Sequence, residues 1–193
     1  MLSSHVLDLL QCPSCEDSKL EIGSDRRPSL VCVGCEQRFP IVDGIIDMTP
    51  PQKTPAPGNY RTETLFNLIA GVYDLVLPMM SLGVWRCSPL RYIDMANQAV
   101  GRANGGVMLA APVGTGSPLD KVLAPYHDLK VIGIDQSWKM LRKAKKRFED
   151  TDHDVQLIRA SFQHLPFRDG VMQSIHSLNG IHTFEQRMTT LRE

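Results

Sequence analysis

The chain has 193 residues, 42% of them hydrophobic, and its 21 basic and 21 acidic side chains cancel to a formal net charge of +0. That length and apolar fraction suit one ordinary domain plus a small accessory one and argue against wholesale disorder. The balanced charge gives no global attraction to nucleic acid or an anionic membrane.

The first residues, MLSSHVLDLLQC, lack the basic and long apolar regions of a secretory signal. No apolar run approaches the roughly 20 residues that span a bilayer. A soluble, cytoplasmic protein is therefore expected. Cys12, Cys15, Cys32 and Cys35 then form C-x2-C-x16-C-x2-C, while Cys87 stands apart and reads as a small buried residue. In a chain without a secretory signal this spacing reads as zinc before disulfide, with chance pairs or two disulfides as the alternative. Two C-x2-C turns complete a closed tetrahedral S4 site, which is structural rather than catalytic. So small a region has little core of its own, and bound Zn2+ supplies folding free energy. Residues 1–50 carry Lys19, Arg26, Arg27 and Arg38 against eight carboxylates, a net charge of −4. Phosphate binding needs the opposite sign, so the ribbon reads as a docking or substrate-covering module.

The boundaries follow composition: a zinc ribbon over 1–49, a stiff linker over 50–60 with Pro50, Pro51, Pro55 and Pro57, and a larger domain over 61–193 whose helices within 61–104 form a lid. TETLFNLIAGVYDLVL (62–77) has helical periodicity, with Thr62 or Thr64 as its cap. A second helix covers PLRYIDMANQAVGRA (89–103) and stops at the glycines of NGG. The pattern then predicts strand 107–113, helix 118–125, strand 130–135, helix 138–149, and strands 155–160 and 171–178. Strands alternating with helices imply an α/β fold, a Rossmann-like doubly wound parallel sheet preceded by the small ribbon.

Within VMLAAPVGTGSP, Gly114 and Gly116 let backbone approach a ligand closely, and Ser117-Pro118 suit the N-cap and first turn of a helix. The next strand ends in Asp135, 19 positions beyond Gly116, and Ser137 follows as an N-cap. An acidic residue there is placed to accept hydrogen bonds from ribose hydroxyls; the alternative is a turn residue. The third glycine of G-x-G-x-x-G is absent, which suits a nucleoside ligand without phosphate and favours S-adenosylmethionine over NAD. The cluster Lys139, Arg142, Lys143, Lys145, Lys146 and Arg147 reads as a solvated helix face in preference to an RNA contact. His176 reads as a satisfied core residue and His182 as a base or substrate contact. No nucleophile–base–orienter set is visible, so the catalytic residues are unknown.

LLQCPSC and LVCVGCEQRFPIVDGIIDM, within residues 6–48, resemble the zinc ribbons of a small methyltransferase activator and of many bacterial methyltransferases that carry one at the front. From about residue 60 onward the chain resembles the class I S-adenosylmethionine-dependent methyltransferases, especially the ubiquinone/menaquinone-biosynthesis type. AGVYDLVLP is similar to the lid segment, in which Tyr73 either covers the cofactor or packs as a core tyrosine. VMLAAPVGTG is similar to the first motif, VIGIDQSWKMLRKAKKRF to the second, and LIRASFQHLPFRDGVMQSIHSLNGIHTF to the third and fourth. The resemblance implies that Gly114 and Gly116 flank the methionine part and that Asp135 holds the ribose. Gln136 and Met140 would border the adenine, Ser161 and Phe162 would lie near its edge, and Ser177 and Leu178 under the sulfonium. Three positions depart from the pattern: Ala110 replaces an acid, Ser161 another, and Met172-Gln173 the usual Phe-Asp.

Family members run on through another helix and three strands, so the methyltransferase fold is incomplete here. A fragment of a longer enzyme is expected, or else a dimer or partner protein that covers the fourth strand of the sheet. The function implied is S-adenosylmethionine-dependent methylation of a small-molecule acceptor. A catalytically silent scaffold is the alternative, and an RNA methyltransferase is a further one, against which the acidic ribbon argues.

Overall fold

A computed structural model describes residues 4–16, 19–24, 26–50, 71–83, 86, 88, 90–103, 105–149, 151–162 and 164–178. Thr62, Thr64, Cys87, His182 and most of the proline-rich stretch lie outside the described residues.

The N-terminal part is a short helix α1 (Ser4–Leu9) followed by an antiparallel meander of β1 (Leu20–Ile22), β2 (Ser29–Cys32), β3 (Arg38–Val42) and β4 (Ile45–Asp47). Asp43 and Gly44 make the β3–β4 turn with φ of 54° and 76°, the left-handed backbone a tight hairpin requires. Helices α2 (Tyr73–Gly83) and α3 (Leu90–Ala103) come next. The chain then alternates through β5 (Val107–Ala110), α4 (Leu119–Val122), β6 (Lys130–Asp135), α5 (Trp138–Glu149), β7 (Asp154–Arg159) and β8 (Ser174–His176).

All eight strands join one sheet in the order β1-β2-β3-β4-β7-β6-β5-β8. The last four neighbours are parallel, as the alternating pattern predicts. The ribbon does not stand apart from them: β4 pairs in parallel with β7, Ile46 opposite Ile158 and Asp47 opposite Arg159. At the other edge β8 has β5 as its neighbour among the described residues.

Side chains alternate across the sheet with the period of two that strands impose. Met108, Ala110, Val131, Leu157 and Ile45 face a layer built from α3, α4 and α5, which contribute Ala96, Val100, Leu119, Leu141 and Phe148. Val107, Leu109, Ile132, Ile134, Ile158 and Ile46 face the other way. There they meet Leu10, Leu20, Leu30, Phe39 and Met48 of the ribbon, and Phe162 and Phe167 of the segment after β7. A doubly wound sheet places helices on both faces; among the described residues the ribbon takes the second. The backbone seals that contact through Gln11 N to Pro166 O and Arg168 N to Leu9 O, both 3.0 Å, and through Met48 N to Arg159 O at 2.8 Å.

Four elements differ from the predicted ones by more than one residue at a boundary. The predicted strand 107–113 ends at Ala110, because Pro112 has no N–H and the chain swings away, with Val113 N donating to Ile134 O. The predicted helix 118–125 shrinks to Leu119–Val122, cut off by Pro125, and Pro118 rather than Ser117 sits at its N-cap without a side-chain cap. The predicted strand 171–178 retains Ser174–His176. Of the helix expected over 62–77, the part before Gly71 lies outside the described residues, Gly71 and Val72 form a turn, and a helix runs from Tyr73 to Gly83.

Candidate functional site

Two constellations carry chemistry. In the ribbon, the sulfurs of Cys12, Cys15, Cys32 and Cys35 all lie within 4.8 Å of one another. Cys12 Sγ is 3.6 Å from Cys35 Sγ and Cys15 Sγ is 3.5 Å from Cys32 Sγ. These separations are too long for disulfides. They are close to the ~3.8 Å tetrahedral edge that Zn–S bonds of ~2.3 Å produce.

The two knuckles share one backbone design. Glu16 N donates to Cys12 O at 2.9 Å and Glu36 N to Cys32 O at 3.0 Å, and Glu16 and Glu36 both have φ of 57°. Each knuckle also turns an amide on its first sulfur, Ser14 N on Cys12 Sγ at 3.4 Å and Cys35 N on Cys32 Sγ at 3.5 Å. Burial pushes the Cys12 thiol up to about 12, although the amides of Ser14 and Cys15 work against it. At Cys32 burial also raises the pKa. There hydrogen bonds from the Cys35 amide, the Cys15 and Cys35 side chains and the Gly34 amide outweigh it and bring the thiol down to about 6.

The second constellation lies at the carboxyl ends of the parallel strands. Gly114 and Gly116 follow β5, Asp135 ends β6 and Gln136 follows it, Ser161 and Phe162 follow β7, and Ser177 follows β8, so four adjacent strands deliver them to one edge. Met140, in the first turn of α5, is buried, as are Phe162 and Ser161. Both glycines have left-handed backbone, φ of 57° at Gly114 and 85° at Gly116. A Cβ on Gly116 would meet Phe148 Cε2 at 2.9 Å, whereas one on Gly114 would meet no atom within 4 Å. Gly116 therefore packs the loop onto α5, and Gly114 lines open space.

Asp135 ties these parts together. Its Oδ2 accepts from Gly114 N at 3.0 Å and its Oδ1 from Ser137 N at 2.9 Å. Ser137 in turn caps α5, accepting from Met140 N at 3.2 Å as its sequence position predicts. These contacts hold the glycine loop and the start of α5 to the end of β6.

Arg147 was expected on a solvated face, and the structure overturns that. Its Nε donates to Thr115 O at 2.9 Å, and its two terminal nitrogens pair with Asp120 at 2.8 Å and Asp74 at 2.5 Å. Asp74, at the start of α2, also accepts from the Thr115 hydroxyl. Burial disfavours the Arg147 charge, but hydrogen bonding and attraction from Asp120, and then Asp74, raise its pKa above the ordinary guanidinium value. Arg147 lies seven positions after buried Met140 on the same helix, a spacing that marks the border of the apolar stripe. Arg142, by contrast, is mostly exposed and meets Asp43 at 3.8 Å.

The altered motif positions fall in different places. The Ala110 side chain is buried in the helix-side core. Gln173 accepts from Val107 N at 2.5 Å, at the amino end of β5 and far along the strand from the glycine loop. Its exchange for the usual acid therefore removes nothing from the carboxyl-end site. His176 is buried in β8, and burial holds its pKa below the usual imidazole value.

Residues 109–193 match the family model described as a methyltransferase domain. With this topology and glycine loop, the chain belongs to the class I S-adenosylmethionine-dependent methyltransferases. Within that class its relatives are enzymes of quinone biosynthesis. It is 30% identical over 135 residues to the ubiquinone/menaquinone biosynthesis C-methyltransferase UbiE of Syntrophotalea carbinolica, covering 68% of this chain and 54% of that protein. It is 33% identical over 134 residues to the demethylmenaquinone methyltransferase of Thermotoga maritima, covering 67% and 53%. The chain thus spans about half the length of the curated relatives it matches. Among the described residues no helix is long and apolar enough to cross a membrane.

Proposed function

We propose that the chain binds S-adenosylmethionine at the carboxyl edge of β5–β8 and serves methyl transfer to a small, quinone-related acceptor, with a structural Zn2+ in the ribbon. The observation that carries this reading is Asp135 bridging Gly114 N and Ser137 N. That arrangement fixes a carboxylate beside a glycine whose missing side chain leaves room for a ligand. The fit is to a nucleoside without phosphate. Gly114 leaves the space for it, Asp135 accepts its ribose hydroxyls, Gln136 and Met140 border its base, and Ser161, Phe162 and Ser177 complete the wall.

The cofactor, when bound, supplies an activated methyl group on a sulfonium. The chain's own work is placement. Gly116 holds the loop against Phe148, Ser137 caps α5, and the Arg147–Asp74–Thr115 contacts seat α2 over the loop. Proximity, orientation and exclusion of water by that lid account for rate without a strong base. For the ribbon, four sulfurs at tetrahedral separation and two amides aimed at them support thiolate ligation of zinc. The acceptor assignment rests on the names of the relatives, which methylate quinone precursors.

Titration calorimetry with S-adenosylhomocysteine tests the cofactor reading. Binding is expected, and Asp135→Ala should weaken it by about 1–3 kcal/mol through lost hydrogen bonds. Equal binding by both proteins would remove Asp135 from the site. Ala110, apolar and buried where the resemblance to the family implies an acid, favours a second reading, a silent scaffold that docks a partner; absence of binding by wild type would select it.

A further inference from the structure

Three charged residues lie in one row where the ribbon meets the parallel sheet. Asp135 of β6 is opposite Arg159 of β7, and Arg159 is opposite Asp47 of β4. The middle residue reaches both ways. Arg159 donates from Nε to the carbonyl of Gln136 at 2.9 Å and from a terminal nitrogen to Asp47 Oδ2 at 3.2 Å. Its guanidinium carbon also lies 5.4 Å from the centre of the Trp138 ring. Both charged side chains are more than four-fifths buried, 18% and 19% exposed, so their attraction is less screened than that of a surface pair.

Asp47 is itself held: its Oδ1 accepts from the Thr49 amide at 3.1 Å and from the Thr49 hydroxyl at 2.7 Å. Gln136 stands between Asp135, which faces the glycine loop, and Ser137, which caps α5. The position of its carbonyl sets the turn that presents Asp135 and borders the base.

We infer that Asp47, a ribbon residue, is a positioning residue for the cofactor edge, acting through Arg159 on the Gln136 carbonyl. This rests on the reading that the edge binds S-adenosylmethionine. The ribbon then does more than cover a face of the sheet: its last strand supplies the anion that orients the guanidinium. Without that anion, Arg159 loses one of the contacts that orient its fork, and the turn at 135–137 loosens.

Two readouts test this on the full chain. Calorimetry with adenosine and with S-adenosylhomocysteine should show Asp47→Asn weakening both by the same factor, about five- to tenfold, the effect of one charge-assisted hydrogen bond acting at one remove. In an Arg159→Met background Asp47→Asn should add no further loss, because the two residues act in series. Without ligand, hydrogen exchange of the Ser137 amide should speed up in Asp47→Asn while zinc content and melting temperature stay near wild type. Unchanged affinity and exchange in a folded Asp47→Asn protein would overturn the inference alone. So would losses from Asp47→Asn and Arg159→Met that simply add. Failure of wild type to bind either ligand would overturn the cofactor reading, and the inference with it.

Discussion

In residues 4–50 the strands are three to five residues long, and β1 and β3 expose much of their length, Glu21 and Ile22 in the one and Arg38, Pro40 and Val42 in the other. In the parallel half, β5 is buried throughout and β6 at all but its first residue. The ribbon is a thin layer whose strands keep one side in water, and its order depends on four sulfurs brought together by two local turns. The parallel strands have no such clamp and need a layer on each face. The two regions meet because each lacks what the other has. The ribbon has an apolar face with too little of its own core to bury it, and the sheet has an uncovered face and edge at β7. Their shared cluster of Leu10, Phe39, Ile46, Ile132, Ile134 and Ile158 makes them one folding problem.

The most severe break is at the clamp. Cys32→Ser should abolish zinc binding, read by elemental analysis against about one zinc per wild-type chain. Loss of a structural site costs several kcal/mol or more. If the regions are coupled, far- and near-ultraviolet signals should melt together at a lowered midpoint. A parallel half that keeps its wild-type transition would show that the ribbon is a mere passenger. Next in size is the shared core. Ile46 is fully buried between the layers, and Ile46→Ala should cost about 2–5 kcal/mol in denaturant melts. A cost below 1 kcal/mol would mean the ribbon–sheet contact contributes little.

Gly116→Ala sharpens the comparison from the other side, because it strains the parallel half without touching the ribbon. The left-handed φ of 85° costs about 1–2 kcal/mol for a residue with a side chain. The 2.9 Å approach to Phe148 adds to that cost. The expected result is a lowered melting temperature with unchanged zinc content. The smallest effect belongs to Lys145, whose ion pair with Glu149 on α5 is half-exposed and formed within one helix. Lys145→Ala should change stability by no more than about 0.5 kcal/mol, and a larger change would call for a packing role near the β3–β4 turn.

The metal cluster and the glycine loop were legible in the sequence because both are local. A C-x2-C turn is built from four adjacent residues, and a left-handed glycine after an apolar strand signals the same turn wherever it occurs. Asp135 was legible by its spacing from Gly116, and Ser137 by its place before a helical pattern. Arg147 and Arg159 were not. Each acts on carbonyls and carboxylates 23 to 112 positions away, and the run of basic residues does not name the partners that the inward-turning one finds. The place of Gln173, at the amino end of β5 and away from the glycine loop, was not legible either, because its contact with Val107 spans 66 positions.

What the sequence by itself determined are the features set by short-range stereochemistry: the cysteine knuckles, the positive-φ turns, the alternation of strand and helix, and the period of two that sorts apolar residues between faces. Only the tertiary structure decided that β4 pairs with β7, that the ribbon packs on a face of the parallel sheet, and that Asp47 lies in one row with Arg159 and Asp135. Those outcomes depend on which exposed strand edge and which apolar face find each other. Parallel pairing between segments more than a hundred residues apart has no local signal, because its hydrogen bonds are the same for any sequence that can extend.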